Sequence, residues 1–185
     1  AGQTGVVFAH MVPTDQTGWT AMAQTLAGRG YLTLTFDFRG YGASGGQKEI
    51  GRIDRDLLAA AAFIRQQGAT DVVLVGASMG GTAVAKVAAL KPPAAAVIIS
   101  APRSFRGLAV SDEELAVAGV PRLFIGSRGD GATRDTLDMF NAAPGPKESH
   151  VYPGNAHGTF IFNSEHGADL SARLIRFIEA NAPAR

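Results

Sequence analysis

The sequence predicts an α/β protein with a mainly parallel central sheet and helices on both faces. Two observations carry this expectation. Apolar runs of strand length recur at Gly5 to Ala9, Tyr31 to Phe36, Val72 to Val75, Ala96 to Ile99, Arg122 to Ile125 and His150 to Tyr152, and segments with helical periodicity stand between most of them. Strands that are apolar on both faces belong to parallel sheets covered by helices on each side and joined by right-handed crossovers.

Taken in order, the first strand closes at His10, after which Trp19, Met22, Ala23 and Leu26 share one helical face that ends at Gly28 and Gly30. The second strand runs to Phe36. Ile53, Leu57, Ala60, Ala61 and Ile64 mark a second helix that stops before Gly68. The third strand, Val72 to Val75, enters the turn Gly76-Ala77-Ser78-Met79-Gly80 and then a helix from Thr82 to Leu90. About twenty residues separate the strand ending near Ser100 from the one starting at Arg122. Asp135 and Asp138 fall in a helical pattern, Ala143-Pro144-Gly145-Pro146 is a surface turn, and Leu170, Leu174, Phe177 and Ile178 form the last helix. No repeat or linker divides the chain, which reads as one domain over residues 1–185.

Composition narrows the function classes. With 46% apolar and 18% charged residues, the 185-residue chain can build a full hydrophobic core. Its 17 basic and 16 acidic residues are interspersed, without the basic stripe that a nucleic acid would require. No apolar run approaches the roughly 20 residues needed to span a bilayer, so the expectation is a soluble protein without a membrane or nucleic-acid partner. Absence of cysteine removes disulfides, thiolate catalysis and Cys-ligated zinc, and leaves the compartment, cytoplasmic or otherwise, open. The chain starts at Ala1 rather than at a methionine, consistent with a segment upstream of it.

The segment Val72 to Gly81, VVLVGASMGG, is the most informative stretch. It has the G-x-S-x-G form of a nucleophile elbow, in which a strained strand-to-helix turn projects a serine hydroxyl above the sheet. Gly76 and Gly80 let the two backbones pass, and the amide-rich end of the following helix stabilises negative charge beside Ser78. A serine nucleophile needs a base, itself oriented by a carboxylate. Of the four histidines, His10 ends a strand, His150 opens one and His166 begins a helix, whereas His157 lies in the loop past the last strand's carboxyl end. Ligands of such sheets bind at that edge. The acid is expected between serine and histidine in sequence and after a strand, which selects Asp130. Asp135, Asp138, Asp112, Glu113 and Glu114 read as solvated.

The order Ser78, Asp130, His157 on an alternating β/α chain resembles the α/β-hydrolase family. Ala9-His10-Met11 stands where that family often has His-Gly, and Asp37-Phe38-Arg39-Gly40-Tyr41-Gly42-Ala43-Ser44 looks like its D-x-R-G-x-G-x-S loop. The resemblance implies an oxyanion hole made by the backbone amides of Met79 and Met11, with the Met11 side chain crowding the approach, and structural roles for His10 and Asp37. Two departures stand out. The chain has no residues for the family's N-terminal antiparallel hairpin, and the short Ser100 to Arg122 connection leaves no room for a helical cap.

Gly40-Tyr41-Gly42-Ala43-Ser44-Gly45 formally matches G-x-G-x-x-G but lacks the opening helix and the distant acidic residue of a dinucleotide fingerprint. No cofactor or metal is expected. The favoured function is a serine hydrolase of small carboxylic esters. A serine peptidase, amidase or acyltransferase would use the same triad, and a catalytically silent binding module would keep the fold alone. Trp19, Phe105 and Arg103 are the candidate substrate contacts, the last two in the loop Ala101 to Arg106, where solvation is the competing reading. Oligomeric state is not legible.

Overall fold

The computed structural model describes residues 2–184. Six strands form one sheet: β1 (Gln3–Ala9), β2 (Leu32–Phe36), β3 (Ala69–Ala77), β4 (Ala95–Ile99), β7 (Arg122–Ser127) and β8 (Lys147–Tyr152). Their spatial order is β2-β1-β3-β4-β7-β8, and every pairing is parallel. Helices α1 (Thr20–Ala27), α2 (Ile53–Gln66), α3 (Met79–Leu90), α5 (Thr133–Ala142) and α6 (Gly167–Asn181) alternate with them.

Consecutive apolar residues serve opposite faces. Val7, Leu74, Ile98 and Phe124 join Leu57, Ile64 and Val84 in one core, while Phe8, Val75, Val97 and Ile125 join Trp19, Leu26, Leu170 and Leu174 in the other. The two-residue period of a strand therefore divides each run between two helix layers. Both cores are needed to make the sheet's polar backbone a buried, fully paired interior.

Register places the chemistry. Ala9 pairs with Gly76, Ala77 with Ile99, Ile99 with Ile125, and Ser127 with Tyr152, so the carboxyl ends of β1, β3, β4, β7 and β8 finish level along one edge. The residues that follow those ends are gathered there.

Boundaries differ from the periodicity in ways that have local causes. Helix α3 starts at Met79, three residues before Thr82, because the turn at Ser78 needs no intervening linker. Strand β8 starts at Lys147, since its charged and polar first residues lie at the sheet's edge where burial is partial. The Ser100–Arg122 connection folds into a minimal hairpin, β5 (Ser104–Phe105) and β6 (Leu108–Ala109), and a one-turn helix, α4 (Asp112–Leu115). Two-residue strands carry no detectable period. Leu108, Val110 and Leu115 anchor this segment in the core beside α3, and Lys86 on α3 bonds the Glu114 carboxylate at 2.5 Å. It lies on the flank of α3.

A tight approach holds the centre of this arrangement. A Cβ on Gly76 would lie 2.3 Å from the Gly80 carbonyl oxygen, and one on Gly80 would lie 2.4 Å from the Ala9 oxygen. Backbone atoms on both sides cannot yield. Gly80→Ala is therefore expected to destabilise the fold by about 3 kcal/mol, while Gly45→Ala, with no atom within 4 Å of the added methyl, stays within about 0.5 kcal/mol. Denaturant titration of the two variants checks the ranking, and equal effects would contradict it.

Candidate active site

Ser78 occupies the turn between β3 and α3 with φ 51° and ψ −122°, a conformation that a side-chain-bearing residue holds only under constraint. Its N–H donates to the Ile99 carbonyl at 2.8 Å, and its own carbonyl accepts Thr82 N–H at 3.0 Å. Strand on one side and helix on the other therefore over-determine the turn. Ser78 is only 8% exposed, and no hydrogen bond engages its hydroxyl among the described residues.

Asp130 and His157 come from the two loops at the same edge. The Asp130 side chain is 7% exposed and its Oδ1 lies 2.9 Å from His157 Nδ1. An ionised carboxylate only accepts, so Nδ1 carries the proton and Nε2 is left as the basic nitrogen. Burial, the largest influence on the Asp130 carboxyl, pushes its pKa up. The His157 and Ala132 hydrogen bonds, with the Ser100 hydroxyl nearby, together outweigh it and hold the carboxyl below its usual range. Asp130 is thus charged at neutral pH and orients an imidazole that is 31% exposed.

The His157 loop is held at several points. Ser127 Oγ donates to the Ala156 carbonyl at 2.7 Å, and Gly129 N–H donates to Gly154 at 2.8 Å. Gly158 has φ +55°, and a Cβ there would meet Met11 Sδ at 2.5 Å and Ala77 Cβ at 3.3 Å. The residue after the histidine therefore sits against the residue before the serine. In this resting geometry no hydrogen bond joins Ser78 and His157 among the described residues, a spacing that commonly tightens only when substrate binds.

The amide of Met79, first in α3, has no partner within its helix, and no hydrogen bond engages the Met11 amide among the described residues. Met11 differs from expectation in one respect. Its side chain is fully buried in the core and touches the Gly158 turn, so it does not crowd the solvent side. His10 explains how the Met11 loop is held: Nδ1 bonds the Met11 carbonyl at 3.0 Å, and Phe38 N–H donates to Nε2 at 3.1 Å. Both ring nitrogens are thus spent on backbone.

Asp37 accepts Gln16 N–H at 2.8 Å and Ala43 N–H at 2.9 Å, and Ser44 Oγ donates to its carbonyl at 2.6 Å. The glycine-rich loop wraps its own aspartate, and α2 does not begin until Ile53. Among the other carboxylates, Asp135 accepts Arg103 N–H at 2.9 Å, which makes it a structural clamp where solvation was expected. Asp138 is exposed. Glu114 closes a capping box with Ser111.

The three predicted substrate contacts fare differently. Trp19 is a correction: it is fully buried, donates Nε1–H to the Ala9 carbonyl at 3.1 Å and packs on Phe8 and Phe162, so it offers no surface to a ligand. Arg103 is also committed elsewhere, to Asp112 at 2.6 Å and the Val110 carbonyl at 3.1 Å. Phe105 is half-buried beneath the Arg106 guanidinium. Sequence reasoning missed Ser100 and Ser127, residues at strand ends whose hydroxyls face the Asp130 and His157 loops. A serine closing an apolar run was their only signal.

Fold and site together define an α/β hydrolase. The family model described as serine aminopeptidase, S33, matches residues 4–124, and the chain belongs to that family. The match contains Ser78 and stops before Asp130. A non-heme haloperoxidase of Rhodococcus erythropolis is 28% identical over 173 residues, 92% of this chain and 58% of the relative. The chain thus spans about three fifths of the length of the curated relatives it matches. An esterase of Pyrococcus furiosus superposes with a TM-score of 0.80 at 18% identity, covering 98% of this chain and 83% of that one. Est1E of Butyrivibrio proteoclasticus, solved with ferulic acid, gives 0.81 at 17% identity and covers 96% and 89%. At such identities these structures speak to the fold. No helix is long and apolar enough to cross a membrane among the described residues.

Burial, the dominant influence on His10, lowers its pKa, against opposing effects of the Met11 bond and Asp37. Below the ordinary value of 6.5 the unfolded chain binds a proton that the folded chain refuses, so stability falls as pH drops through that value. His150 is displaced in the same direction and adds to the slope. His10→Gln, which cannot titrate, is expected to lose less stability between pH 7 and pH 5 than wild type in denaturant unfolding. Parallel curves would contradict the neutral, structural His10.

Proposed function

We propose that this protein is a serine hydrolase that cleaves carboxylic esters of small acyl groups through an acyl-enzyme on Ser78. The observation that carries the reading is the 2.9 Å bond from His157 to the buried Asp130, on the sheet edge where Ser78 is held in its strained turn. Ser78 Oγ attacks the ester carbonyl while His157 Nε2 takes its proton. The oxyanion that forms is received by the amides of Met79 and Met11, neither of which donates to another group among the described residues. Collapse of the intermediate expels the alcohol, protonated by His157, and water then repeats the sequence to release the acid. Throughout, Asp130 stays ionised and steadies the imidazolium.

Two hollows flank the site residues. One of about 590 Å³, between α1 and the segment that follows His157, is lined by Thr14, Met22, Thr159, Phe160 and Phe162 and holds no charged side chain; the other, of about 650 Å³, contains Asp130 with Arg128, Arg134 and Asp138. The α3-flanking hairpin builds no enclosing tunnel, so added methylenes find little new apolar contact after a few carbons.

The family description favours a second reading, peptide hydrolysis from an amino terminus. That reaction needs a free carboxylate for the substrate ammonium. Among the described residues Asp15, Asp37, Asp112, Asp130 and Asp135 are each already engaged by the chain's own donors, whereas the exposed Asp138, which lines the hollow beside Asp130, is the carboxylate that this second reading would use.

Ser78→Ala is expected to lower ester hydrolysis by about a thousandfold or more with its thermal midpoint preserved. Asp130→Asn should lose several orders of magnitude through the wrong imidazole tautomer, while Asp135→Asn and Asp138→Asn stay within a few fold. Initial rates on p-nitrophenyl butyrate check both statements. Substantial activity in the alanine variant would overturn the mechanism, and a reversed aspartate ranking would overturn the choice of acid.

Comparison of an ester with its matched anilide separates the two readings, with the ester expected to be hydrolysed far faster. Along the p-nitrophenyl series, catalytic efficiency should peak at acetate or butyrate and fall by decanoate. Preference for an aminoacyl anilide would favour the peptidase, and efficiency rising to twelve carbons would reveal a deep acyl pocket.

A further inference from the structure

Asp130 has two carboxylate oxygens and only one is accounted for. Oδ1 takes His157 Nδ1–H and Ala132 N–H, whereas Oδ2 is sealed from solvent without a well-formed hydrogen bond. A second sealed and unpaired oxygen is Ser100 Oγ. The two belong to adjacent strand ends: Ser100 directly follows β4, and its N–H donates to the Ile125 carbonyl of β7 at 2.8 Å. The Ser100 hydroxyl is close enough to help hold the Asp130 carboxyl below its usual range against the opposing effect of burial. A buried carboxylate oxygen and a buried hydroxyl, each otherwise unsatisfied, complete each other.

The backbone of Ser100 makes the same point independently. Its φ is +47°, one of three positive values among the described non-glycine residues, and another belongs to Ser78. Glycine holds that conformation without strain. Here a fully buried serine holds it, and neighbouring bonds fix it in place: Ile99 accepts from Ser78, and Ala101 is tied to Thr136 Oγ1 by bonds of 2.8 and 3.0 Å. One strand end is clamped between the serine's strand and the acid's.

We propose that Ser100 is a positioning residue: its hydroxyl donates to Asp130 Oδ2 and fixes the plane of the carboxylate so that Oδ1 remains on His157. This rests on the assignment of Ser78, Asp130 and His157 given above. His157 faces Asp130, and Arg128, Arg134 and Asp138, which line the hollow beside it, are exposed.

The test compares wild type with Ser100→Ala and Ser100→Gly on p-nitrophenyl butyrate from pH 5 to pH 9. Both variants are expected to lose about tenfold in kcat with KM within about twofold. The acid limb of kcat/KM should move up by roughly half a unit or more, because a carboxylate without its donor is more basic and the Asp130–His157 pair takes its proton at higher pH. Ser100→Gly relaxes the backbone and is expected to melt no lower than Ser100→Ala, which separates loss of the hydroxyl from loss of folding. An NMR titration of His157 reads the same shift without turnover, so the proposal stays testable even if wild type hydrolyses no ester, an outcome that would count against the ester reading alone. A His157 midpoint and an acid limb unmoved in both variants would overturn the role of Ser100.

Discussion

The close passage of backbones at Gly76, Gly80 and the carbonyls of Ala9 and His10 is the constraint on which the rest of this structure depends. Because no Cβ intervenes, α3 can start immediately after β3 and lean against the end of β1. That contact brings the Met11 loop beside the first amides of α3. It also forces Ser78 into positive φ, and the cost of that strain is offset by the parallel strands and two apolar cores that lock the turn from below.

Polar groups at the edge fall into two kinds. His10, Asp37, Thr133, Thr136 and Ser127 spend their side chains on loop backbone and are buried or nearly so. Ser78 and His157 retain unspent capacity: a free hydroxyl in one, an uncommitted ring nitrogen in the other. Asp130 stands between, buried and charged, with its charge compensated by donors from a loop, a helix start and a neighbouring strand end. Rigid supports surround a small set of reactive atoms, an arrangement that costs little reorganisation when charge develops.

Much of this was legible in the chain because strand and helix leave different periods. Apolar runs such as Val72 to Val75 announced a two-sided sheet, and the glycines around Ser78 announced a turn that only one architecture needs. The sequence puts His157 and Asp130 just past strand ends, and the structure sets their side chains 2.9 Å apart. What the sequence could not convey was side-chain commitment. Trp19 looks like a ligand platform until its indole is seen bonded to Ala9 in the core, and Arg103 looks available until Asp112 claims it. Ser100 was hidden for another reason: its role arises from a register between β4 and β7 that no local pattern encodes.

Membership in the serine aminopeptidase, S33, family and the close superposition on solved esterases agree with this scaffold. The central claim is that one serine among those of this chain is made nucleophilic by its surroundings. Reaction of the native protein with a fluorophosphonate probe, followed by peptide mapping, tests it most directly. A single adduct on Ser78, forming more slowly as pH falls and His157 is protonated, is the result the account predicts; an unlabelled protein, or an adduct on any other serine, would contradict it.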